Sequence, residues 1–463
     1  QGYSSAASDV YKRQVKNMST IRFENMGWYL IPFEIINYTE YTKELSKYDR
    51  VDSYQDCRYL FSYVTNLFEN GDNAYIKVYQ LTKSVIEHFK QNTIFPHKAK
   101  DKNGNWVPYD CVVSDIRIIT FNNNIGILMI NIKFQEMTLD EIANFTNAFK
   151  KMGNGHANEG NTEQKHMDNK YQHGTHWQSI QTILNSKYIK PFFFANQYDN
   201  YEAFTMLALA DYIVGNNDEE TDKLYSNTLT LLKNELQSNV DTSRYQKMAS
   251  VELAEYPYIR FGASQNAMVC LVNKALVTPK DRSFIENRFS KSIQKSYLCL
   301  YLLLLNQRLT LLLAMYKSIQ YRDDADKLQQ IQKELNQFKM VASFNVISNT
   351  GNYQCLYDAI YEVLRIDVLY KDVDEINQKV MQESDIKDTQ REKRANKLLI
   401  VISVLSVFSA LVDLSDFLQT WLTGGYSGLR NHSEMNIGTG SLIFIVMAIL
   451  LYIIVNKLQK KHK

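Results

Sequence analysis

The sequence predicts an α+β cytoplasmic domain followed by a long α-helical stalk or bundle and a C-terminal two-helix transmembrane hairpin. Three observations carry that prediction. Two apolar runs, 112–121 and 125–134, flank an Asn122-Asn123-Asn124 junction, as a β-hairpin requires. No proline occurs from Ser283 to the end of the chain, and the sole glycine there before the C-terminal hairpin is Gly351, so little interrupts long helices. Two uncharged stretches close the chain, fifteen residues from Leu398 and fourteen from Leu442.

Taken in order, residues 1–14 (QGYSSAASDVYKRQ) have no apolar core of a signal peptide and resemble translated adapter sequence, so residues 1–17 are expected to be a non-native leader before a natural start at Met18. Residues 18–152 read as an N-terminal α/β domain. In its second apolar run Leu128, Ile130, Ile132 and Phe134 alternate with Met129, Asn131 and Lys133, which predicts a strand with one buried face. Thr138 and Glu141 then form the hydroxyl and carboxylate of a capping box opening a helix to about Lys151. Residues 153–176 contain almost nothing apolar and are expected to form a flexible polar loop at a domain boundary. His156, His166, His173 and His176 fall there, and His173-x-x-His176 reads as part of the polar tract rather than as a metal site, because ligand pairs need a rigid frame.

Residues 177–282 are expected to be helical and mixed, with amphipathic helices at 203–215 and 223–236 and an irregular part-strand segment at 256–273. Residues 283–396 are expected to form the long stalk helices. Within them 297–316 is nearly apolar enough to span a bilayer, but Asn306-Gln307-Arg308 sits at its centre, where an unpaired Arg in lipid costs a few kcal/mol, so a buried bundle helix is the expectation. A last helix is expected from about Gln354 to Lys397, and residues 397–463 complete the hairpin with a basic tail.

Composition excludes several classes of function. In 463 residues, 52 Lys and Arg against 50 Asp and Glu leave a net charge of +2, which gives no reason to expect direct nucleic-acid binding. Five cysteines without a CxxC pair fit neither a disulfide framework nor a zinc ribbon. The sequence holds no GxxxxGK[ST], GxGxxG after a strand, HExxH or GxSxG motif, so it is not expected to be an enzyme. The mean hydropathy of −0.34 averages a polar body with an apolar C-terminal end.

A hydrocarbon core of about 30 Å is crossed by about 20 helical residues, so each C-terminal stretch suffices with its flanks. Arg391, Lys393, Arg394 and Lys397 precede the first, Lys457, Lys460, Lys461 and Lys463 follow the second, and Arg430 lies between. The positive-inside rule then puts both termini in the cytoplasm. In the first stretch Ser406, Ser409, Asp413, Asp416, Thr420 and Thr423 recur at spacings of 3, 4, 3, 4 and 3, a heptad-like seam. Carboxylates in a span face protein or water and form cation-attracting rings when repeated about an axis, which makes these six the expected pore lining and Asp413 and Asp416 the expected metal-contacting pair. The competing reading has the two aspartates mark the end of the span and the hydroxyls bond back to their own helix.

This layout resembles the CorA family of divalent-cation channels. The segments 124–134 (NIGILMINIKF), 261–264 (FGAS), 301–313 with Gln307-Arg308, and Ile347-Ser348 followed by Gln354-x-Leu356-Tyr357 resemble a divergent branch, the CorA-like membrane effectors associated with type III CRISPR systems. The resemblance implies a homo-oligomer, a pentamer, in the bacterial inner membrane, and a divalent cation such as magnesium as the transported or regulatory ion, with no covalently bound cofactor. For the divergent branch it implies an antiviral defence role in which a nucleotide-derived second messenger, such as an AMP conjugate of S-adenosylmethionine, acts on the cytoplasmic domain. The family's Gly-Met-Asn signature is absent. Tyr426, Gly428 and Asn431 in the loop 424–431 are its nearest echo and the outer-loop selectivity candidates, which puts magnesium selectivity in doubt. The alternative is a membrane-anchored sensor or enzyme domain that conducts no ions.

Overall fold

The computed structural model describes residues 21–51, 57, 59–68, 74–100, 106–151, 174–192, 203–245, 250–322 and 324–424. The expected leader, most of the polar loop and the expected second span lie outside them. The chain divides into two units, residues 1–378 and 379–463.

The first unit is built on a ten-stranded sheet. Its strands along the chain are β1 (Asn25–Ile35), β2 (Asp49–Arg50), β3 (Ile76–Gln80), β4 (Cys111–Phe121), β5 (Ile125–Phe134), β6 (Ile189–Pro191), β7 (Phe204–Asp211), β8 (Val251–Tyr256), β9 (Ile259–Ala263) and β10 (Ala267–Asn273). They lie side by side as β8-β9-β10-β7-β1-β5-β4-β3-β2, with β6 on the same edge of β1 as β7 but further along it. The β7–β10 pair is parallel and the other pairs of the sheet are antiparallel. The expected hairpin is β4–β5, whose register pairs Phe121 with Ile125 around the Asn-rich turn, and Asn124 takes the left-handed conformation (φ 66°) that Asn tolerates better than most residues.

The central strands of this sheet are buried on both faces, and this corrects the one-faced reading of β5. Along β1, Met26, Trp28 and Leu30 enter one core while Tyr29, Ile31, Phe33 and Ile35 enter the other; in β5, Ile127 and Met129 oppose Leu128 and Ile130 in the same way. Sheets covered on both sides read as nearly continuous apolar runs. One cover consists of α1 (Tyr38–Leu45), α2 (Lys83–Asn92), α3 (Leu139–Lys151), α4 (His176–Ile183) and α5 (Asp218–Lys233). The capping box of α3 is complete: Glu141 N–H donates to Thr138 Oγ1 (3.2 Å) and Thr138 N–H to Glu141 Oε2 (3.0 Å).

The other cover is α6 (Leu298–Gln320), α7 (Ala325–Ala342), α8 (Gly351–Val363) and the start of α9 (Ile366–Gly424). Two π-helical turns, Phe284–Phe289 and Ile293–Tyr297, lead into α6. α6 is an interior helix, as expected: among the described residues Phe284–Gln320 is long and apolar enough to cross a membrane, but 78% of its most apolar stretch is buried inside the protein.

Three expectations differ from this architecture. The expected amphipathic helix at 203–215 is not formed: Phe204–Asp211 is β7, and FTMLALAD is buried on both faces between β1 and β10, so its apolar spacing carries no helical period. Residues 153–176 do not separate two sheets, because β1, β4 and β5 before them and β7 to β10 after them pair into one. The single helix expected from Gln354 to Lys397 is two, α8 and α9, broken where Arg365 turns left-handed (φ 56°). That conformation costs a non-glycine residue about 1 kcal/mol, which is offset by sinking Leu364 and Ile366 on either side into the core.

Gly126 permits the close packing of β1 on β5: a Cβ there would overlap the Phe33 ring. Gly126→Ala is therefore expected to destabilise the chain by about 1–3 kcal/mol, read as a lower thermal midpoint, whereas Gly351→Ala, where a Cβ meets nothing within 4 Å, should not lower it.

Candidate functional site

The six seam residues of the sequence all lie on α9, a helix of 59 residues. At 100° per residue Ser406, Ser409, Asp413, Asp416, Thr420 and Thr423 fall within an arc of about 100°, so the helix brings them onto one face. The side chains of Asp413, Asp416, Thr420 and Thr423 lie outside the described residues, as do Tyr426, Gly428, Asn431 and the expected second span. Ser409 is exposed, and the exposed Ser406 hydroxyl donates to the Ile402 carbonyl one turn back (2.9 Å).

The surroundings of that face are informative. Leu398, Leu399, Ile400, Val401, Ile402, Leu405, Val412 and Leu414 are each between 46% and 62% exposed. Residues 398–402 alone sweep the whole helix circumference at 100° per step, so the apolar surface is not one stripe turned toward a core. Arg391, Lys393, Arg394 and Lys397 are all exposed just before it.

The polar triplet of α6 is placed quite differently. Asn306 and Gln307 are fully buried. Asn306 Oδ1 accepts from Asn123 Nδ2 of the β4–β5 turn (3.1 Å); Gln307 Nε2 donates to the Ala342 carbonyl (3.2 Å) and to Tyr357 Oη (3.0 Å); Arg308 Nη1 donates to the Gln265 carbonyl (2.6 Å). Three consecutive residues thus tie α6 to a turn, to α7 and α8, and to the β9–β10 connection.

Glu34, which is buried, and Glu255, which is partly buried, were not singled out by the sequence. Glu34 is 4% exposed on β1 and is held by Lys317 of α6 (3.1 Å) and Lys190 of β6 (3.0 Å). A lone acid within the apolar run 28–36 was the available signal. Glu255 on the edge strand β8 accepts from Tyr297 Oη and from Asn352 Nδ2, each at 2.9 Å, and Tyr297 stacks between Phe261 and Tyr353 with centroids at 4.9 and 4.6 Å. No spacing in the sequence announces this cluster, since it joins four separate elements. Burial pushes the Glu255 carboxyl up from its usual range, opposed by the two donors.

Of the histidines, His156, His166 and His173 and the side chain of His176 lie outside the described residues. Among the described residues no group of three His, Cys, Asp or Glu side chains is placed to hold a metal ion. No protein-family model, no curated protein and no solved structure matches the chain.

Because Glu255 binds its proton more readily folded than unfolded, its contribution to stability is greatest below the ordinary Glu range and falls as pH rises through the raised value. Urea-unfolding midpoints of the full chain and of Glu255→Gln, compared from about pH 4 to 7, should show the parent losing stability relative to the variant as pH rises. Parallel profiles would mean that Glu255 keeps its ordinary affinity for the proton.

Proposed function

We propose that the chain is a homo-oligomeric membrane protein of CorA-like type, in which the second half of α9 is the first of two C-terminal spans and lines a path for divalent cations. The observation that carries this reading is the run of exposed apolar side chains from Leu398 to Leu414. In water an all-round apolar helix surface is covered by protein or aggregates, and in a bilayer it needs no cover. From Leu398 to Gly424 the helix rises roughly 40 Å, enough to cross a hydrocarbon core of about 30 Å. Arg391, Lys393, Arg394 and Lys397 supply the cations that favour the cytoplasmic end.

The cation path rests on the polar arc of α9. Copies arranged around an axis would turn Asp413 and Asp416 inward as carboxylate rings, with the hydroxyls of Ser406, Ser409, Thr420 and Thr423 above and below, while apolar side chains on the rest of the helix face lipid or neighbouring helices. The first unit is then the sensor side, and a nucleotide-derived second messenger is the trigger that the sequence resemblance suggests. Opening would require that trigger to bind the open arrangement more tightly than the closed one.

One observation favours the alternative, a membrane-anchored sensor that conducts nothing: the Ser406 hydroxyl is already satisfied by its own helix. Flux separates the two. Purified chain reconstituted into liposomes is expected to pass divalent cations, and Asp413→Asn with Asp416→Asn is expected to cut that flux about tenfold or more, as removal of a charged ring does. Reconstituted chain that resists carbonate extraction yet shows no flux would leave an anchor, and release by carbonate would overturn the membrane reading itself.

A further inference from the structure

The β4–β5 turn, the second half of α6 and helix α7 enclose a cavity of about 590 Å³, in the size range of small-molecule sites. One side is made of amides and a hydroxyl: Asn122, Asn123 and Asn124 of the turn and Thr310 of α6. Apolar walls are supplied by Leu313 of α6 and by Leu335 and Phe338 of α7. The Asn123 carboxamide is held in place, its Nδ2 donating to Asn306 Oδ1 (3.1 Å) and to Thr310 Oγ1 (2.6 Å). The Thr310 hydroxyl spends its one proton on the Asn306 carbonyl (2.6 Å), so it can only accept from Asn123. That fixes the orientation of the Asn123 amide, whose two protons are both taken and whose Oδ1 is buried without contact with the cavity space, so Asn122 and Asn124 are the turn amides left to meet a ligand.

Charge at this cavity is already balanced or lies at its edge. Lys317 lines it, but its ammonium is 3.1 Å from the buried Glu34 carboxylate. Glu334 also lines it and is exposed. A charged ligand would give up hydration without gaining a free counter-ion, and an anion would also meet Glu334. Asparagines, by contrast, offer donors and acceptors together, and the leucine and phenylalanine walls suit a flat apolar face.

We propose that this cavity binds an uncharged, flat molecule that presents a carboxamide-like edge, donor beside acceptor, to Asn122 and Asn124 of the turn and its face to Leu313, Leu335 and Phe338. Occupancy is transmitted through α7. Lys339, next to Phe338, pairs with Asp374 (3.2 Å) and lies over the Tyr370 ring (4.7 Å to its centroid), and both partners belong to the first turns of α9. A ligand that steadies Phe338 steadies the residue gripping α9. Binding of this kind needs neither a membrane nor a cation path.

Three probes of one shape test the chemistry on the full chain in detergent: nicotinamide, 3-acetylpyridine, which lacks the amide donor, and nicotinate, which is an anion. Ligand-detected NMR titration is expected to show saturable binding of nicotinamide, with 3-acetylpyridine and nicotinate each about tenfold weaker, the cost of one unmatched polar group. Ala314→Phe, which fills the cavity, should abolish binding. Nicotinamide should also slow hydrogen exchange in residues 366–378 of the parent chain and not in Lys339→Gln. Absence of saturable nicotinamide binding, nicotinate binding as tightly as nicotinamide, or undiminished binding by a folded Ala314→Phe variant would overturn the site. Unchanged exchange in the parent with nicotinamide bound would overturn the transmission.

Discussion

Helix α6 is apolar on nearly every side, and the first unit is arranged so that every side is covered. Leu298, Leu300, Leu302, Leu303, Leu304, Leu305, Leu309, Leu311 and Leu313 are all buried. Each fully buried leucine is worth about 1.5–3 kcal/mol relative to exposure, so no position along this run can be left in water cheaply. The sheet supplies one cover, and α7 and α8 supply others. Apolar contact alone would tolerate rotation or sliding of such a helix. The triplet Asn306-Gln307-Arg308 removes that freedom, since each of its side chains has a polar partner in a different direction, and any slip would leave buried polar groups unpaired.

The same triplet shows what sequence could and could not reveal. Three polar residues in a leucine-rich run argue against a bilayer span, and the helix is interior. Their partners, at Asn123, Ala342, Tyr357 and Gln265, lie 35 or more residues away in the chain and leave no local trace. Signals confined to a few residues were legible: the β4–β5 hairpin and the reciprocal hydrogen bonds of Thr138 and Glu141 follow from spacing alone. What failed depended on distant packing. β7 resembles an amphipathic segment until β1 and β10 are known to flank it. Arg365 breaks a helix without Gly or Pro because the burial of its neighbours compensates for its backbone. Glu255 and the cavity by Asn123 are made by elements brought together by the fold, so no motif could mark them. The polar arc of α9 was legible as a period, since a single helix suffices to align it.

Helices α6 and α9 pose one problem with two solutions. Both carry a long leucine- and isoleucine-rich stretch with polar residues inside it. In α6 those polar residues point to protein partners and the leucines are buried; in α9 the apolar residues from Leu398 are exposed and Ser406 turns its hydroxyl onto its own backbone. Hydropathy cannot separate these cases, because it counts apolar atoms and not their neighbours. Cover does separate them: protein supplies it for α6 and not for the exposed stretch of α9, and in the proposed reading lipid takes its place.

The attachment of α9 to the first unit combines a strong contact with a weak one. Ile366 and Val373 are fully buried and hold the first turns by apolar contact. The Lys339–Asp374 pair is about a third exposed on each side, and pairs of that kind contribute about 0.2–1 kcal/mol. The first turns of α9 are therefore held chiefly by the buried contacts, and the ion pair adds little to that hold. Since Lys339 lies one residue from a wall of the cavity, a ligand need supply only a small difference in binding energy to favour one arrangement of the pair over another. A switch placed at Ile366 or Val373 would instead have to uncover core side chains, so the polar contact between α7 and α9 is the place where regulation is least costly.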